Sequence, residues 1–165
     1  MLKLFLTSSL LIVPTFAAAQ EAATAEEVLQ KTREAAAYLA KEGADGIATF
    51  KSKNPLSVWK ADGYIFVIDC EHGKMLANAN LAIAGAPLAR IHDNLGLYLA
   101  KPYCENGQRP NGGWFETHSP KPNTTIVVRK MLYVRPVPGR TDQVGSGIYD
   151  ETATVEDLNK LADSQ

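Results

Sequence analysis

The sequence predicts a single α+β domain in which one long N-terminal helix packs on an antiparallel sheet of five or six strands. Three observations support this class. An amphipathic helix comes first, a buried hairpin follows it, and three further strands come after a short helical crossover. Helices and strands that are segregated along the chain in this way are typical of α+β folds.

Residues 1–19 have the pattern of a secretory signal peptide. Lys3 gives a positive start, residues 4–16 form an interrupted apolar run, and residues 17–19 are small, as at a cleavage site. The apolar run is too short for a stable membrane span. We therefore expect one mature domain over residues 20–165, periplasmic or secreted and without membrane insertion.

The first element of the mature domain is predicted to be a helix over residues 24–42. Thr24 and Glu27 form a capping-box pattern, and Gly43 follows the last helical residue. The apolar positions at helical spacing are Val28, Leu29, Thr32, Ala35, Ala36, Leu39 and Ala40. Such a stripe predicts that one side of the helix covers the sheet.

The central strand of the sheet is predicted at residues 63–69, which are rich in β-branched and aromatic side chains. Residues 69–73 have the polar and glycine content of a hairpin turn, and residues 74–77 begin the return strand. A short edge strand is predicted at residues 58–60. Because the central strand is apolar on both faces, we expect a covering layer on each side.

The second half of the chain is predicted to contain a helical crossover and three strands. Asp93 as a cap and Pro102 as a stop delimit a short helix over residues 94–101. The remaining predicted elements are strands at 114–118, 124–134 and 143–149 and a C-terminal helix at 154–162.

The mature chain has two cysteines, Cys70 and Cys104. Export into an oxidising compartment favours a disulfide between them. This bond would close a loop of about 35 residues and stabilise the fold by roughly 3.5 to 4 kcal/mol in the chain-entropy model. The alternative is two free thiols that lie too far apart to bond.

Charge and motif content exclude several classes of function. The 17 basic and 18 acidic residues are interspersed, whereas a nucleic-acid partner needs a concentrated basic face. The histidines at 72, 92 and 118 lack metal-ligand spacing, and the sequence has no nucleophile elbow. We therefore expect no nucleic-acid partner, no metal or cofactor, and no enzymatic activity.

A set of motifs between residues 24 and 150 occurs in a characteristic order. They are residues 63–69 with Gly73 and Leu76-Ala77, then Asp93-Asn94-Leu95-Gly96, Gly112-Gly113-Trp114, Pro120-Lys121-Pro122, Val128-Arg129-Lys130 and Gly145-Ser146-Gly147-Ile148-Tyr149. Together they resemble the single Cache domains, extracytoplasmic ligand sensors related to the PAS fold. Thr117, Ser119 and Gln143 depart from the family pattern, which often has tyrosine or tryptophan near these places.

The resemblance implies a curved PAS-like sheet with the long helix on one face and a small-molecule pocket on the other. Pockets of this family bind small organic acids, amino acids and similar metabolites, and most members belong to chemoreceptors or sensor kinases. The chain is therefore expected to be a non-catalytic binding or sensing module for a small carboxylate, with a membrane sensor kinase or chemoreceptor as its partner. The alternative is a structural or protein-interaction domain with a self-filled pocket.

Candidate ligand-binding residues are cations and aromatic or polar side chains near this predicted pocket, because a carboxylate is best held by a charge-assisted hydrogen bond. Arg129 and Lys130 point to opposite faces of one strand, and the sequence leaves open which of them faces the pocket. For each candidate, the alternative is a core or solvated role. The candidates are Tyr64, Arg90, Tyr98, Trp114, His118, Arg129 and Lys130, with Lys101 beside the crossover.

Overall fold

The computed structural model describes residues 22–150 and 152–165, and the predicted signal peptide lies outside these described residues. Within these two ranges, no helix combines the length and the apolar character that crossing a membrane requires. The main elements in chain order are α1 (Ala25–Glu42), β1 (Phe66–Asp69), β2 (Lys74–Ala77), α2 (Ala100–Gly107), β3 (Gly113–Pro120), β4 (Val127–Pro136), β5 (Asp142–Ile148) and α3 (Val155–Asp163).

Helix α1 begins at the capping box that the sequence predicts. The Thr24 hydroxyl accepts a hydrogen bond from the Glu27 N–H at 3.3 Å, and the Thr24 N–H donates to the Glu27 carboxylate at 2.9 Å. Gly43 follows the helix with a φ of 69°, a conformation that glycine adopts without strain. The buried residues of α1 are Val28, Leu29, Thr32, Ala35, Ala36 and Leu39. The predicted helix is confirmed, and so is its buried stripe except for Ala40, which is exposed.

Loss of the cap should destabilise the domain measurably. Thr24→Ala removes the acceptor for the Glu27 N–H, and we expect the free energy of unfolding to fall by about 1 kcal/mol. Urea denaturation measures this loss. Thr24→Ser is the matched control, because serine keeps the hydroxyl and should retain most of the stability. Equal losses in the two variants would show that the hydroxyl does not cap the helix.

The sheet has five antiparallel strands in the order β2-β1-β5-β4-β3. The last strand in sequence, β5, therefore lies in the middle of the sheet, and β3 forms one edge. The predicted α+β class with a long helix on an antiparallel sheet is confirmed. Residues 58–60 do not form a sixth strand and contribute only an isolated bridge between Val58 and Tyr64.

Apolar clusters cover the two faces of the sheet. On the face that we call the helix face, α1 and α3 pack against residues such as Trp114, Met131 and Val144. On the opposite face, which we call the crossover face, residues from the β2–α2 connection and α2 pack against Phe66 and Leu132. The strands therefore have apolar side chains on both faces, and each face is covered by another layer of the chain.

The crossover contradicts the predicted helix over residues 94–101. Gly96 has a φ of 89°, which an α-helix cannot contain, and residues 93–98 form a tight turn instead. The helix α2 begins at Ala100, so Pro102 lies in its first turn. Proline is tolerated there because the first N–H groups of a helix have no intrahelical partner. Pro102 therefore marks the start of a helix and not its end.

A disulfide joins Cys70, directly after β1, to Cys104 in α2. Both cysteines are partly buried against the apolar cluster of the crossover face. The predicted disulfide is confirmed, and it ties α2 to the end of the central strand.

The β1–β2 turn carries an ion pair that should be visible by titration. The Asp69 carboxylate accepts a hydrogen bond from the backbone N–H of His72 at 3.0 Å. It also forms a side-chain hydrogen bond with the His72 Nδ1 at 2.7 Å. This hydrogen bond and the charge of Asp69 raise the pKa of His72 above 6.5. The stability from this shift is therefore fully present below pH 6.5 and is lost as the pH rises through the folded pKa.

We expect an NMR titration to give a His72 pKa above 6.5 in the wild type. In Asp69→Asn the pKa of His72 should fall toward that ordinary value, because the carboxylate that favours the imidazolium is gone. An unchanged His72 pKa in the variant would show that the contact with Asp69 does not hold the charge.

Candidate functional site

The buried cation of the crossover face is Lys130, in the middle of β4. It lies opposite Thr117 of β3 and shares its face with Leu132, two residues further along the strand. Only 3% of Lys130 is exposed. A buried lysine needs compensating contacts, because desolvation penalises the charged amine.

Two tyrosines surround the ammonium group of Lys130. Its Nζ donates to the Tyr64 hydroxyl at 3.0 Å and to the Tyr149 hydroxyl at 3.4 Å. The ring centroids of Tyr64 and Tyr149 lie 4.8 Å and 4.7 Å from Nζ, within the range of cation–π attraction. The Tyr149 hydroxyl donates in turn to the Pro120 carbonyl at 2.8 Å. These contacts fix the position of the ammonium group.

The ammonium group remains charged but has no carboxylate counter-ion within residues 22–150 and 152–165. Burial disfavours the charged form, yet the hydroxyl groups of Tyr64 and Tyr149 outweigh it and raise the pKa of Lys130 above its ordinary value. No carboxylate of the described residues forms an ion pair with Lys130. Two of its three N–H donors are used by the tyrosines. The third has no hydrogen-bond partner among the described residues.

The neighbouring strands leave room for the lysine side chain. A Cβ on Gly147 of β5 would lie 3.1 Å from the Lys130 Cε and 2.7 Å from the Leu132 Cδ2. On the other side, the Thr117 hydroxyl donates to the Lys130 carbonyl at 3.3 Å. The absence of a side chain at Gly147 therefore allows Lys130 to lie flat over β5.

The crossover closes this face of the sheet. Ile91 and Leu99 are buried in the same apolar cluster as Phe115 and Leu132, which are the same-face neighbours of Thr117 and Lys130. The layer above the strands is thus apolar next to the lysine. An acceptor that reached Nζ here would be shielded from water, where a charged hydrogen bond is strongest.

The structure places three of the predicted ligand-binding residues on the helix face, away from Lys130. Trp114 packs against α1 and α3, and its ring centroid lies 5.1 Å from that of Tyr133. Arg129 pairs with Glu116 at 2.8 Å. His118 lies opposite Arg129 in the register of β3 and β4. These side chains do not join the site, because alternation along the strands turns them to the other side.

Three candidates from the crossover are exposed and do not reach Lys130. Arg90 ends a 3₁₀ turn on the surface. Tyr98 is 62% exposed, and its ring contacts that of His92. Lys101 extends into solvent toward Glu105 at 3.7 Å. Of the seven predicted ligand-binding residues, the structure brings together Tyr64 and Lys130.

Three members of the site were not among the sequence candidates. They are Thr117, Gly147 and Tyr149, which lie on β3 and at β5. One signal in the sequence points to Tyr149: it is two residues after Gly147 and therefore shares its face. Strand glycines often mark a close approach of another group. No local signal identifies the strand pairing that brings Thr117 beside Lys130.

Two further concave regions are formed by described residues. A cleft of about 90 Å³ is lined by Phe50, Ser57 and Ile65 on the helix side. A more open groove of about 550 Å³ is lined by residues 22–26, by α3 and by residues 148–150, so it borders Tyr149 of the Lys130 site. Neither is lined by a buried cation. Lys130 is therefore the stronger marker of a ligand site.

Comparisons with known proteins agree with this architecture. A methyl-accepting chemotaxis protein from Vibrio parahaemolyticus is 17% identical, with a TM-score of 0.61 over 81% of this chain and 89% of that chain. A periplasmic sensor domain of a chemotaxis protein is 21% identical, with a TM-score of 0.57 over 77% and 90%. A Cache chemosensory domain solved to explain carboxylic acid recognition is 18% identical, with a TM-score of 0.61 over 77% and 93%.

At these identities the three solved structures establish a shared fold. No curated protein sequence matches the chain. The family model described as single Cache domain 2 matches residues 15–163, which include every helix and strand described above. The chain therefore belongs to the single Cache domain family.

Proposed function

We propose that this protein is a periplasmic or secreted sensing module that binds a small carboxylate at Lys130. The observation that carries the proposal is the buried ammonium group, which has two tyrosine hydroxyls as neighbours and no carboxylate partner among the described residues. A ligand carboxylate would supply the missing negative charge. Charge-assisted hydrogen bonds of this kind are roughly twice as strong as neutral ones.

The proposed role is binding and not catalysis. A lysine acts as a nucleophile or general base only when its amine is deprotonated. Here the raised pKa keeps Lys130 protonated, which suits it to hold an anion. The neighbours Tyr64 and Tyr149 position the charge and leave its third N–H available.

The proposed partner is a membrane sensor kinase or a chemoreceptor that responds to the occupied domain. Two of the structures with the same fold are named as parts of chemotaxis proteins, and a third as a chemosensory domain. Residues 1–19 and the disulfide between Cys70 and Cys104 support a location outside the cytoplasm.

A second candidate function is a structural or interaction domain with a self-filled pocket. One observation favours it: the Lys130 side chain itself occupies the space between the rings of Tyr64 and Tyr149. In this case the cation–π contacts and the hydroxyl groups alone would satisfy the charge, and the site would have no ligand.

A thermal-shift panel with matched pairs separates the two candidates. Each short organic acid or amino acid is tested beside its primary amide, which has a similar shape but no charge. We expect a carboxylate to raise the melting temperature, since a ligand at 100 times its dissociation constant adds about 2.7 kcal/mol. Its amide should have little effect. Equal shifts with an acid and its amide would show that the site does not recognise the charge. No shift with any compound would favour the self-filled domain.

A further inference from the structure

Residues 92–98, which we call the strap, form a small projecting turn within the crossover. A bridge between His92 and Tyr98 closes the turn. The residues on either side, Ile91 and Leu99, are buried in the apolar cluster of the crossover face and are joined by a backbone hydrogen bond of 2.9 Å. The strap therefore has an anchored base and a projecting tip.

The tip is attached to the sheet by Asp93, which is the only buried residue of the strap. One carboxylate oxygen accepts the N–H groups of Leu95 and Leu97, both at 2.9 Å, and so holds the turn together. The other oxygen accepts the N–H of His118 on β3 at 2.9 Å. The N–H of Asn94 donates back to the His118 carbonyl at 3.0 Å. Asp93 thus connects the turn to the free edge of β3.

This attachment lies beside the Lys130 site. His118 follows Thr117, and Thr117 is directly opposite Lys130 in the register of β3 and β4. The strap therefore runs along the outer edge of β3, level with the backbone of Lys130 and beside Thr117. Its base packs over Phe115 and Leu132, which are next to the site on the same face.

The tip has little apolar burial to keep it closed. Leu95 is 70% exposed and Leu97 is 46% exposed. Segments with few buried apolar contacts open locally at a much lower cost than the whole fold. The tip is therefore held to the sheet mainly through His118, by its two backbone hydrogen bonds and by its Nδ1, which lies 3.8 Å from the Asp93 carboxylate. The anchors at Ile91 and Leu99 allow the tip to move alone.

We propose that the strap is the gate of the Lys130 site and that the Asp93 carboxylate latches it to the His118 backbone. This inference rests on the proposed function, since a gate matters only if a ligand enters. Opening would separate Asp93 from the His118 N–H while the carboxylate keeps its bonds to Leu95 and Leu97. The turn would then swing from β3 as a unit and uncover the edge of the site.

The test uses thiol labelling and needs no knowledge of the ligand. Both native cysteines are bonded to each other, so Lys130→Cys introduces a free thiol at the site. Iodoacetamide labels this thiol in the folded protein at a rate set by local opening, and mass spectrometry confirms the labelled position. Adding Asp93→Asn should raise the labelling rate at least about tenfold. The matched control is Asp69→Asn, which removes another turn carboxylate bonded to a backbone N–H and should change the rate less than about twofold.

Equal effects of the two aspartate variants would overturn the gate. A second measurement covers the case in which Asp93→Asn does not fold. In the wild type, the amides of Asn94 and His118, whose bonds the opening breaks, should exchange with deuterium through an opening that is insensitive to low urea, as local openings are. If their exchange follows the urea dependence of the Tyr133 amide in β4, the strap opens only with the whole fold and the proposal is wrong. Neither readout involves a ligand, so a failed gate remains distinct from a failed binding site.

Discussion

Removing the disulfide with the double substitution Cys70→Ala, Cys104→Ala should lower the free energy of unfolding by about 3.5 to 4 kcal/mol. The bond joins residues 34 positions apart, so it restricts a long loop of the unfolded chain. That loop contains β2, the strap and the start of α2. Urea denaturation of the oxidised wild type and of the variant measures the difference.

A reductant provides the internal control for this prediction. Reduction should destabilise the wild type by a similar amount and leave the double variant unchanged, because the variant has no bond to break. A loss below about 1 kcal/mol in both comparisons would mean that the unfolded loop is already restricted without the bond.

Most of the fold could be predicted because its signals are local. The capping box at Thr24 and the apolar spacing of α1 need only nearby residues, and they give the correct helix. The central strand, predicted at residues 63–69, begins at Phe66, and its turn follows as predicted. The disulfide followed from two cysteines and export, without any knowledge of distance. Local chemistry and the global fold agree in these elements, as expected for a natural sequence.

The crossover was predicted wrongly because its two helix signals have other uses here. Asp93 has the chemistry of a cap, but its carboxylate accepts N–H groups from its own turn and from β3. Pro102 lies in the first turn of α2, where its missing N–H costs nothing. Gly96, with a φ of 89°, is the residue that excludes a helix at this place.

The site was harder to predict because the sheet is covered on both faces. Alternation separates Arg129 from Lys130, but it does not say which set of residues faces the helices. When one face is exposed, polar residues reveal it, whereas β4 has Met131 on one face and Leu132 on the other. Only the packing of α1 assigns Arg129 to the helix face. The pairing of Lys130 with Tyr149 depends on the placement of β5 beside β4, which is a long-range feature.

Replacing Lys130 with methionine should weaken binding of the carboxylate identified by the thermal-shift panel by about 2 to 5 kcal/mol, mostly through a faster off-rate. Methionine is long, flexible and apolar, so it fills the space between Tyr64 and Tyr149 without a charge. The ligand carboxylate would then lose its water without gaining a hydrogen bond from a cationic donor. Isothermal titration calorimetry gives the affinity, and stopped-flow displacement gives the off-rate.

Lys121→Met is the matched control for this measurement. Lys121 is exposed, and its Nζ lies 6.0 Å from the centroid of the Tyr149 ring, so it belongs to the rim of the same site. An exposed charge is screened by water, and its removal should change the affinity by less than about 1 kcal/mol. Unfolding midpoints for both variants verify that they are folded. If Lys130→Met binds the carboxylate as tightly as Lys121→Met does, the ligand is held elsewhere on the domain, because no other contact at this site supplies a buried positive charge among the described residues.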